Sequence, residues 1–199
     1  MIETPATICQ FWFGTGPDDA VAQAQSKLWW SKDDAVDAEI KRRFEPWIRK
    51  AEAGELSSWL DQPVGRLALI LLCDQLPRNS YRNTAQAFAF DPLARAWCVG
   101  GLRDGVNRQL RTIERVFFYM PLEHSEAPED QERSVALFAE LATGADPAQR
   151  KTFDGFHDFA IRHRDIVKRF GRFPHRNAIL GRTSTAEELI FLATPGSSF

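Results

Sequence analysis

The chain has 199 residues, enough to bury a substantial core in one domain, and its 44% hydrophobic and 26% charged content is that of an ordinary globular protein. A net charge of -2 gives no reason to expect a nucleic acid or an anionic membrane surface as a partner. The scattered cysteines Cys9, Cys73 and Cys98 argue against a disulfide framework or a thiolate zinc site and favour a reducing cytoplasm.

Neither a secretory leader nor a membrane span is expected. No basic segment precedes an apolar segment near the first residues. The longest apolar stretch, Leu67 to Cys73, is far shorter than the ~20 residues that cross a bilayer. The sequence therefore predicts a cytoplasmic protein with no membrane partner.

Tryptophan is concentrated in the N-terminal half of the chain. Trp29, Trp30, Trp47 and Trp59 all fall there. Such large rings pack between helices or form the wall of a groove, and we expect core packing to be their main role.

The segment from Leu67 to Cys73 is apolar on every side, which predicts a central buried helix closed by Asp74 and Gln75. An ionised carboxylate at a helix C-terminus faces the negative end of the helix dipole and needs a cation nearby. Arg78, Arg82 or an arginine from the later segment Pro174-His175-Arg176-Asn177 could supply it. Two interpretations remain open: a buried Asp–Arg pair that fixes the loop, or the wall of a pocket whose charges are shared with a ligand.

A short phrase occurs twice, first as Leu76-Pro77-Arg78-Asn79 and then as Pro174-His175-Arg176-Asn177. Each proline fixes its own backbone and cannot continue the preceding helix, so the adjoining arginine is held in one direction. The planar guanidinium fork suits a carboxylate or a phosphate. Asn79 and its counterpart in the second copy can cap a following helix. With Arg172 nearby, the second copy still carries more positive charge than capping requires.

Between the two copies of this phrase, two stretches have the regular spacing of apolar residues that is typical of a helix. Val106, Leu110, Ile113, Phe117 and Met120 trace one apolar face. A second face combines Phe153, Phe156, Ala160, His163, Val167 and Phe170.

The histidines are candidates for proton transfer. His163 lies on the second apolar face, so we expect it to be buried or half-buried, either as a hydrogen-bonded core residue or as a catalyst. His124 and Glu126 lie in a loop that leaves the first apolar helix, where they could supply acid–base chemistry. Their spacing matches no standard metal motif, so no metal is predicted.

These signals together predict an all-α fold. We expect eight or nine helices of about ten to fifteen residues, arranged as antiparallel pairs and joined by short loops. The length fits one domain and no segment is of low complexity, so residues 1–199 are expected to form a single domain in which residues 195–199 are a short tail.

Several of these motifs, in this order, resemble one known family. They are Leu67 to Leu72 followed by Asp74-Gln75-Leu76-Pro77-Arg78-Asn79, then His124-Ser125-Glu126, and finally Phe170-Gly171-Arg172-Phe173-Pro174-His175-Arg176-Asn177. This pattern is similar to the uncharacterised bacterial family known as domain of unknown function 924. The resemblance implies a tetratricopeptide-like α-α superhelix and implies no activity or catalytic residues. The family usually has an aromatic residue where this chain has Leu76.

Two functional hypotheses follow. The first is a pocket that binds a small anionic ligand bearing phosphate or carboxylate, with acid–base catalysis left open and no cofactor expected. Its ligand-binding residues would be Asp74, Gln75, Arg78, Asn79, Arg172 and Arg176, and its candidate catalytic residues His124, Glu126 and His163. The second is a protein-interaction module that uses a groove between helix pairs, in which the motifs are purely structural. Convergence of the arginines and histidines on one cavity would favour the first.

Overall fold

The computed structural model describes residues 2–198, apart from the side chain of Asp19. No β-strand occurs among these residues, and the predicted all-α class is confirmed. The α-helices are α1 (Pro5–Phe13), α2 (Asp18–Ala24), α3 (Ser26–Trp30), α4 (Asp34–Glu52), α5 (Pro63–Ile70), α6 (Leu76–Ser80), α7 (Asp91–Arg103), α8 (Thr112–Glu123), α9 (Pro128–Gly144), α10 (Arg150–Phe170) and α11 (Ala186–Leu192). Short 3₁₀ turns lie at Ser57–Asp61, Ala85–Phe88, Val106–Gln109 and Pro174–Arg176.

Some of these segments join into longer runs. A π-helical turn, Leu71–Gln75, connects α5 to α6 without a break, and α2 and α3 meet at Gln25. Counted as continuous runs, the helices of residues 2–198 number nine, within the range expected from sequence.

The run from α5 to α6 is the centre of the fold. Leu67 to Cys73 are almost completely buried, as the all-round apolar pattern predicts. The expected end of this helix at Gln75 is wrong, because the chain widens into the π turn and continues helical to Ser80. Pro77 has no N–H to donate to the preceding turn, and the N–H of Leu76 instead reaches the carbonyl of Leu71, the spacing of a π turn.

Helices α8, α9 and α10 form consecutive antiparallel pairs. Arg150 donates to the carbonyl of Thr143 at the loop between α9 and α10, whereas Arg164 lies beside Glu132 at the other end of the pair. Gln131, near the start of α9, contacts the last residues of α8. Short connections between packed helices favour this arrangement.

Helix α10 confirms the second apolar face. Phe153, Ala160, His163 and Val167 are buried along it. The helix ends at Gly171, whose φ of 69° is left-handed and whose N–H bonds the carbonyl of Val167 at 2.7 Å. A glycine tolerates that conformation without a Cβ penalty.

The first apolar face is not one helix. Val106 lies in a 3₁₀ turn, Leu110 is extended, and α8 begins only at Thr112. The left-handed Gly105 starts the 3₁₀ turn, and an extended residue then separates that turn from α8. Ile113, Phe117 and Met120 nevertheless face the core as expected.

Aromatic side chains fill the core around Phe117. The ring of Phe117 packs against Trp12, Phe13 and Trp29 at centroid distances of 5.5, 5.4 and 4.6 Å. Trp30 also contacts it, although that ring is half-exposed. The expectation that tryptophans serve mainly in packing agrees with these contacts.

The single domain and the tetratricopeptide-like superhelix, which the sequence analysis also expects, stay predictions. In the predicted tail, Ser197 is buried and its hydroxyl donates to the carbonyl of Leu192 at 3.1 Å, whereas Phe199 lies outside the described residues. Within residues 2–198, none of the helices is long and apolar enough to cross a membrane.

Candidate functional site

The π turn places a carboxylate in the interior. Asp74 is completely buried, and its Oδ1 lies 2.7 Å from Nδ1 of His124, the residue that caps the C-terminus of α8. Gln75 donates to the other carboxylate oxygen, and a nitrogen of Arg78 lies 3.7 Å from Oδ1. An isolated buried charge would be costly, so these partners are what allow Asp74 to be ionised in the core.

The protonation of this pair follows from its surroundings. Burial alone would raise the pKa of Asp74, but His124, Arg78 and Gln75 together hold that pKa below its usual value. Burial and the positive charge of Arg78 lower the pKa of His124. The imidazole is therefore neutral near pH 7 and donates its Nδ1 proton to the carboxylate. Its Nε2 is left unprotonated and accepts no hydrogen bond from any residue within 2–198.

A second histidine–carboxylate pair lies directly behind the first. Nδ1 of His163 is 2.8 Å from the carbonyl of Phe159 and 3.1 Å from Oε1 of Glu123. Burial raises the pKa of Glu123 to about 8, with a further contribution from the charge of Asp74. Burial also lowers the pKa of His163 to about 3. Both groups are consequently neutral near pH 7, unlike the ionised Asp74 beside them.

The two copies of the repeated phrase meet at one carboxylate. Arg78 holds Asp91 through two hydrogen bonds of 2.9 and 3.1 Å. Arg176 approaches the same carboxylate but stays 3.7 Å from it. The copies differ in conformation, since Arg78 lies in α6 whereas Arg176 ends a 3₁₀ turn.

Arg176 is buried beside aromatic rings. Its guanidinium carbon lies 4.8 Å from the ring centre of Phe88 and 4.4 Å from that of Phe173. Its only hydrogen bond to described residues runs from Nη1 to the carbonyl of His124, at 3.0 Å, and its buried Nε has no partner among them. Burial and the neighbouring Arg78 lower the pKa of Arg176 to about 10, so the group keeps its charge at pH 7.

A cleft of about 350 Å³ opens beside these residues, and we refer to it as the Arg176 cleft. It lies between the start of α7, the end of α8 and the segment that follows Pro174. Its lining residues are Ala85, Phe88, Ala89, Asp91, Pro92, Arg95, Pro121, His124, Ser125, Glu126, Arg176 and Leu180.

Three of the predicted site residues, His124, Glu126 and Arg176, line this cleft directly. Asp74, Gln75 and Arg78 do not line the cleft: Asp74 bonds to the cleft residue His124 and Arg78 to the cleft residue Asp91, whereas Gln75 reaches the cleft only through its bond to Asp74. His163 stands behind His124, with their ring centres 6.2 Å apart. The expected burial of His163 is confirmed, since its exposed fraction is 4%.

Two predicted residues lie elsewhere. Asn79 donates to Asp37 of α4 at 2.8 Å, and it does not cap a helix. Arg172 forms two hydrogen bonds of 2.6 and 2.8 Å with Glu188 of α11. Both side chains are thus occupied in joining elements of the fold.

Glu126 lines the cleft but is also occupied. Its two carboxylate oxygens accept from Arg182 at 2.7 and 3.0 Å, and Oε1 also accepts from the backbone N–H of Phe173 at 2.8 Å. Burial acts to raise the pKa of Glu126, but these bonds hold it below its usual value. The carboxylate is a better acceptor than proton donor near pH 7.

Sequence reasoning missed two contributors to the site, Asp91 and Phe88, and it gave Glu123 a place in the acid–base loop without its pairing to His163. In the sequence Asp91 stands before Pro92, a pattern typical of a helix start, and it is the first residue of α7. No local pattern distinguished Phe88 or indicated the partner of Glu123, because the contacts of both residues come from distant parts of the chain. Within residues 2–198, no three His, Cys, Asp or Glu side chains are grouped so that they could hold a metal ion.

Comparison with known proteins places the chain in a family. No curated protein matches it. A solved structure, described as a protein of unknown function, ATU0120, from Agrobacterium tumefaciens, is similar: the chains are 39% identical, the match covers 95% of this chain and 96% of that one, and the TM-score is 0.81. The model of a bacterial family matches residues 8–196, nearly the whole chain. The resemblance drawn from the motifs is confirmed, and the chain belongs to the family of bacterial proteins of unknown function known as DUF924.

Proposed function

We propose that the Arg176 cleft binds a small anionic ligand through the guanidinium of Arg176. The observation that carries this proposal is the hydrogen bonding of that group. A guanidinium has five N–H donors, and Arg176 uses one of them, toward the carbonyl of His124. Its Nε is buried without a partner among the described residues.

Burying a guanidinium whose N–H groups are mostly without acceptors costs free energy unless a further acceptor forms hydrogen bonds with them. Asp91 compensates part of the charge, but at 3.7 Å it lies beyond hydrogen-bonding distance, and Arg78 already holds it with two bonds. An anion in the cleft would supply acceptors for the guanidinium N–H groups of Arg176 that face it. The planar fork of arginine suits the oxygen pair of a carboxylate or a phosphate.

The pair of Asp74 and His124 offers chemistry at the same cleft. The ionised carboxylate fixes the tautomer of the ring, and Nε2 remains as a base on the side of the ring away from Asp74. A carboxylate that orients a histidine in this way is a common arrangement for general acid–base catalysis. We assign His124 the role of proton acceptor if the bound anion is also a substrate, with Asp74 and Gln75 as positioning residues.

A direct test measures ligand-induced stabilisation of the native protein. Acetate, benzoate, inorganic phosphate and phenyl phosphate would be titrated while thermal unfolding is followed. A ligand present at a hundred times its Kd should stabilise the protein by about 2.7 kcal/mol. Arg176→Gln should abolish the shift, and Arg176→Lys should weaken it because lysine keeps the charge and loses the fork.

The matched control is Arg169→Gln, which removes the same charge from an exposed arginine paired with Glu187. It should keep the full ligand-induced shift. If no anion stabilises the wild-type protein, or if Arg176→Gln responds as strongly as the control, the proposal is wrong.

A protein-interaction role has one observation in its favour. Leu189 and Ile190 of α11 are exposed to 59% and 71%, unusual for side chains of this kind. A protein partner that packs there should be lost when both residues are changed to serine, whereas stabilisation by anions should persist. Retention of every bound protein by this double variant would exclude the surface from such a role.

A further inference from the structure

The lining of the Arg176 cleft restricts what kind of anion it can take. Beside its charged groups the cleft has an apolar wall of Phe88, Pro92, Pro121 and Leu180. A volume of about 350 Å³ lies at the small end of the range for small-molecule pockets. The ligand therefore needs a compact apolar body as well as its charge.

The other arginine that lines the cleft, Arg95, and the two that bond to its lining carboxylates, Arg78 and Arg182, are already paired. Arg95 forms two hydrogen bonds with Asp130, Arg182 forms two with Glu126, and Arg78 forms two with Asp91. These bonds have the two-pronged geometry in which a guanidinium and a carboxylate satisfy one another. Arg176 is thus the one cleft arginine among the described residues that has no carboxylate within hydrogen-bonding distance.

One available guanidinium matches one negative charge. The carboxylates of Asp91 and Glu126 also line the cleft, so a second negative charge on the ligand would face them without a cation of its own. The face of the Phe88 ring carries partial negative charge and adds to this repulsion. A dianionic phosphate monoester is accordingly disfavoured relative to a monoanion.

We infer that the ligand of the Arg176 cleft is a carboxylate monoanion with a small aliphatic or single-ring body. Its carboxylate lies on the unused edge of the Arg176 guanidinium, and its body packs against Phe88, Pro92, Pro121 and Leu180. This inference rests on the proposed function and narrows it from anions in general to apolar carboxylates.

Isothermal titration at pH 7.5 with matched compounds tests it. Acetate, butanoate and hexanoate vary the body at constant charge, and we expect affinity to rise about fourfold for each added methylene that becomes buried. Benzoate and phenyl phosphate share one ring and differ in charge, and benzoate should bind at least tenfold more tightly. Benzamide keeps the ring without the charge and should not bind measurably.

Two variants distinguish the contribution of the apolar wall to binding from that of the Arg176 charge. Leu180→Ala should flatten the dependence on chain length and leave acetate binding unchanged. Leu189→Ala, an exposed leucine on α11 away from the cleft, should behave as the wild type.

The outcomes distinguish this inference from the proposed function. Phenyl phosphate binding more tightly than benzoate, or affinity independent of chain length, would overturn the carboxylate inference while anion binding stands. No binding by any of these anions would overturn both. Benzamide binding as tightly as benzoate would also overturn both, because the charge of Arg176 would then have no role.

Discussion

Nδ1 of His124 lies 2.7 Å from Oδ1 of Asp74, so the C-terminal end of α8 is hydrogen-bonded to the π turn at the centre of the fold. The two residues are 50 positions apart in the sequence. The charge of Asp74 thereby sets both the tautomer of a cleft histidine and part of the electrostatic balance of the core.

Replacing Asp74 with asparagine should destabilise the protein strongly. Asp74→Asn keeps the shape of the side chain but removes the anion that His124, Gln75 and Arg78 surround. Breaking such a buried charge cluster costs about 3–5 kcal/mol. Urea unfolding at pH 7 measures the loss. Asp165→Asn, at an exposed ion pair, is the control and should stay within ~0.5 kcal/mol of the wild type.

Glu123 should make stability depend on pH in an unusual direction. Its folded pKa is about 8 against an ordinary value near 4.5, so between these values the native state holds a proton that the unfolded chain releases. The contribution of Glu123 to the free energy of unfolding is therefore greatest below pH ~4.5. It decreases as the pH rises toward 8, by up to about 1.4 kcal/mol per pH unit.

The variant Glu123→Gln removes that dependence. The free energy of unfolding of this variant should equal that of the wild type near pH 5. At pH 8 it should exceed the wild-type value by an amount on the order of 2–4 kcal/mol. Urea unfolding at several pH values measures both curves. For Glu132→Gln, a change at a largely exposed glutamate, the free energy of unfolding should vary with pH as it does in the wild type. Parallel curves for Glu123→Gln as well would show that Glu123 titrates normally.

Two glycines should respond oppositely to alanine. A Cβ at Gly65 would clash with the backbone oxygen of Trp59, which cannot move aside as a flexible side chain could. Gly65→Ala should thus cost about 1–3 kcal/mol or more. At Gly155, inside α10, a Cβ meets nothing within 4 Å, and Gly155→Ala should stabilise the helix by about 0.5–1 kcal/mol. Urea unfolding of both variants checks the sign, and equal effects would contradict the close approach.

The pair of Glu126 and Arg182 should show strong energetic coupling. A double-mutant cycle with Glu126→Gln and Arg182→Gln should give a coupling energy of about 1–3 kcal/mol, because the two bonds are partly buried. The exposed pair of Arg169 and Glu187 provides the comparison and should give less than about 1 kcal/mol. Similar values for the two cycles would mean that burial adds nothing to the first pair.

The sequence predicts the parts of the fold that depend on local pattern. The apolar face of α10 and the burial of His163 follow from spacing alone. Thr185 and Glu188 have the spacing of a capping box in the sequence, and they form one at the start of α11, with bonds of 3.2 and 2.7 Å. In each case the residues that define the feature lie within a few turns of one another.

The π turn and the partners of the arginines could not be predicted in this way. Pro77 is usually a sign that a helix stops, and only the packing around the central run decides that it continues. The pairing of Arg172 with Glu188, and of Arg176 with the carbonyl of His124, depends on how distant segments are brought together. The sequence therefore indicates more positive charge around the second phrase than capping requires, but it does not reveal which arginine remains incompletely bonded.

The way in which the C-terminal segment (residues 171–198) is held to the rest of the fold determines the order in which the protein unfolds. The apolar core of this segment is small, built on Ile166, Val167 and Phe173, so much of its anchoring falls to Arg172 and Arg182 and their carboxylates. A contact surface of this kind exposes little apolar area when it separates, and its opening carries a small change in heat capacity. Guanidinium ions compete directly for such carboxylates, whereas urea does not. The segment should consequently fray in dilute guanidinium chloride before the rest unfolds, and amide hydrogen exchange would register α11 as the first region to open.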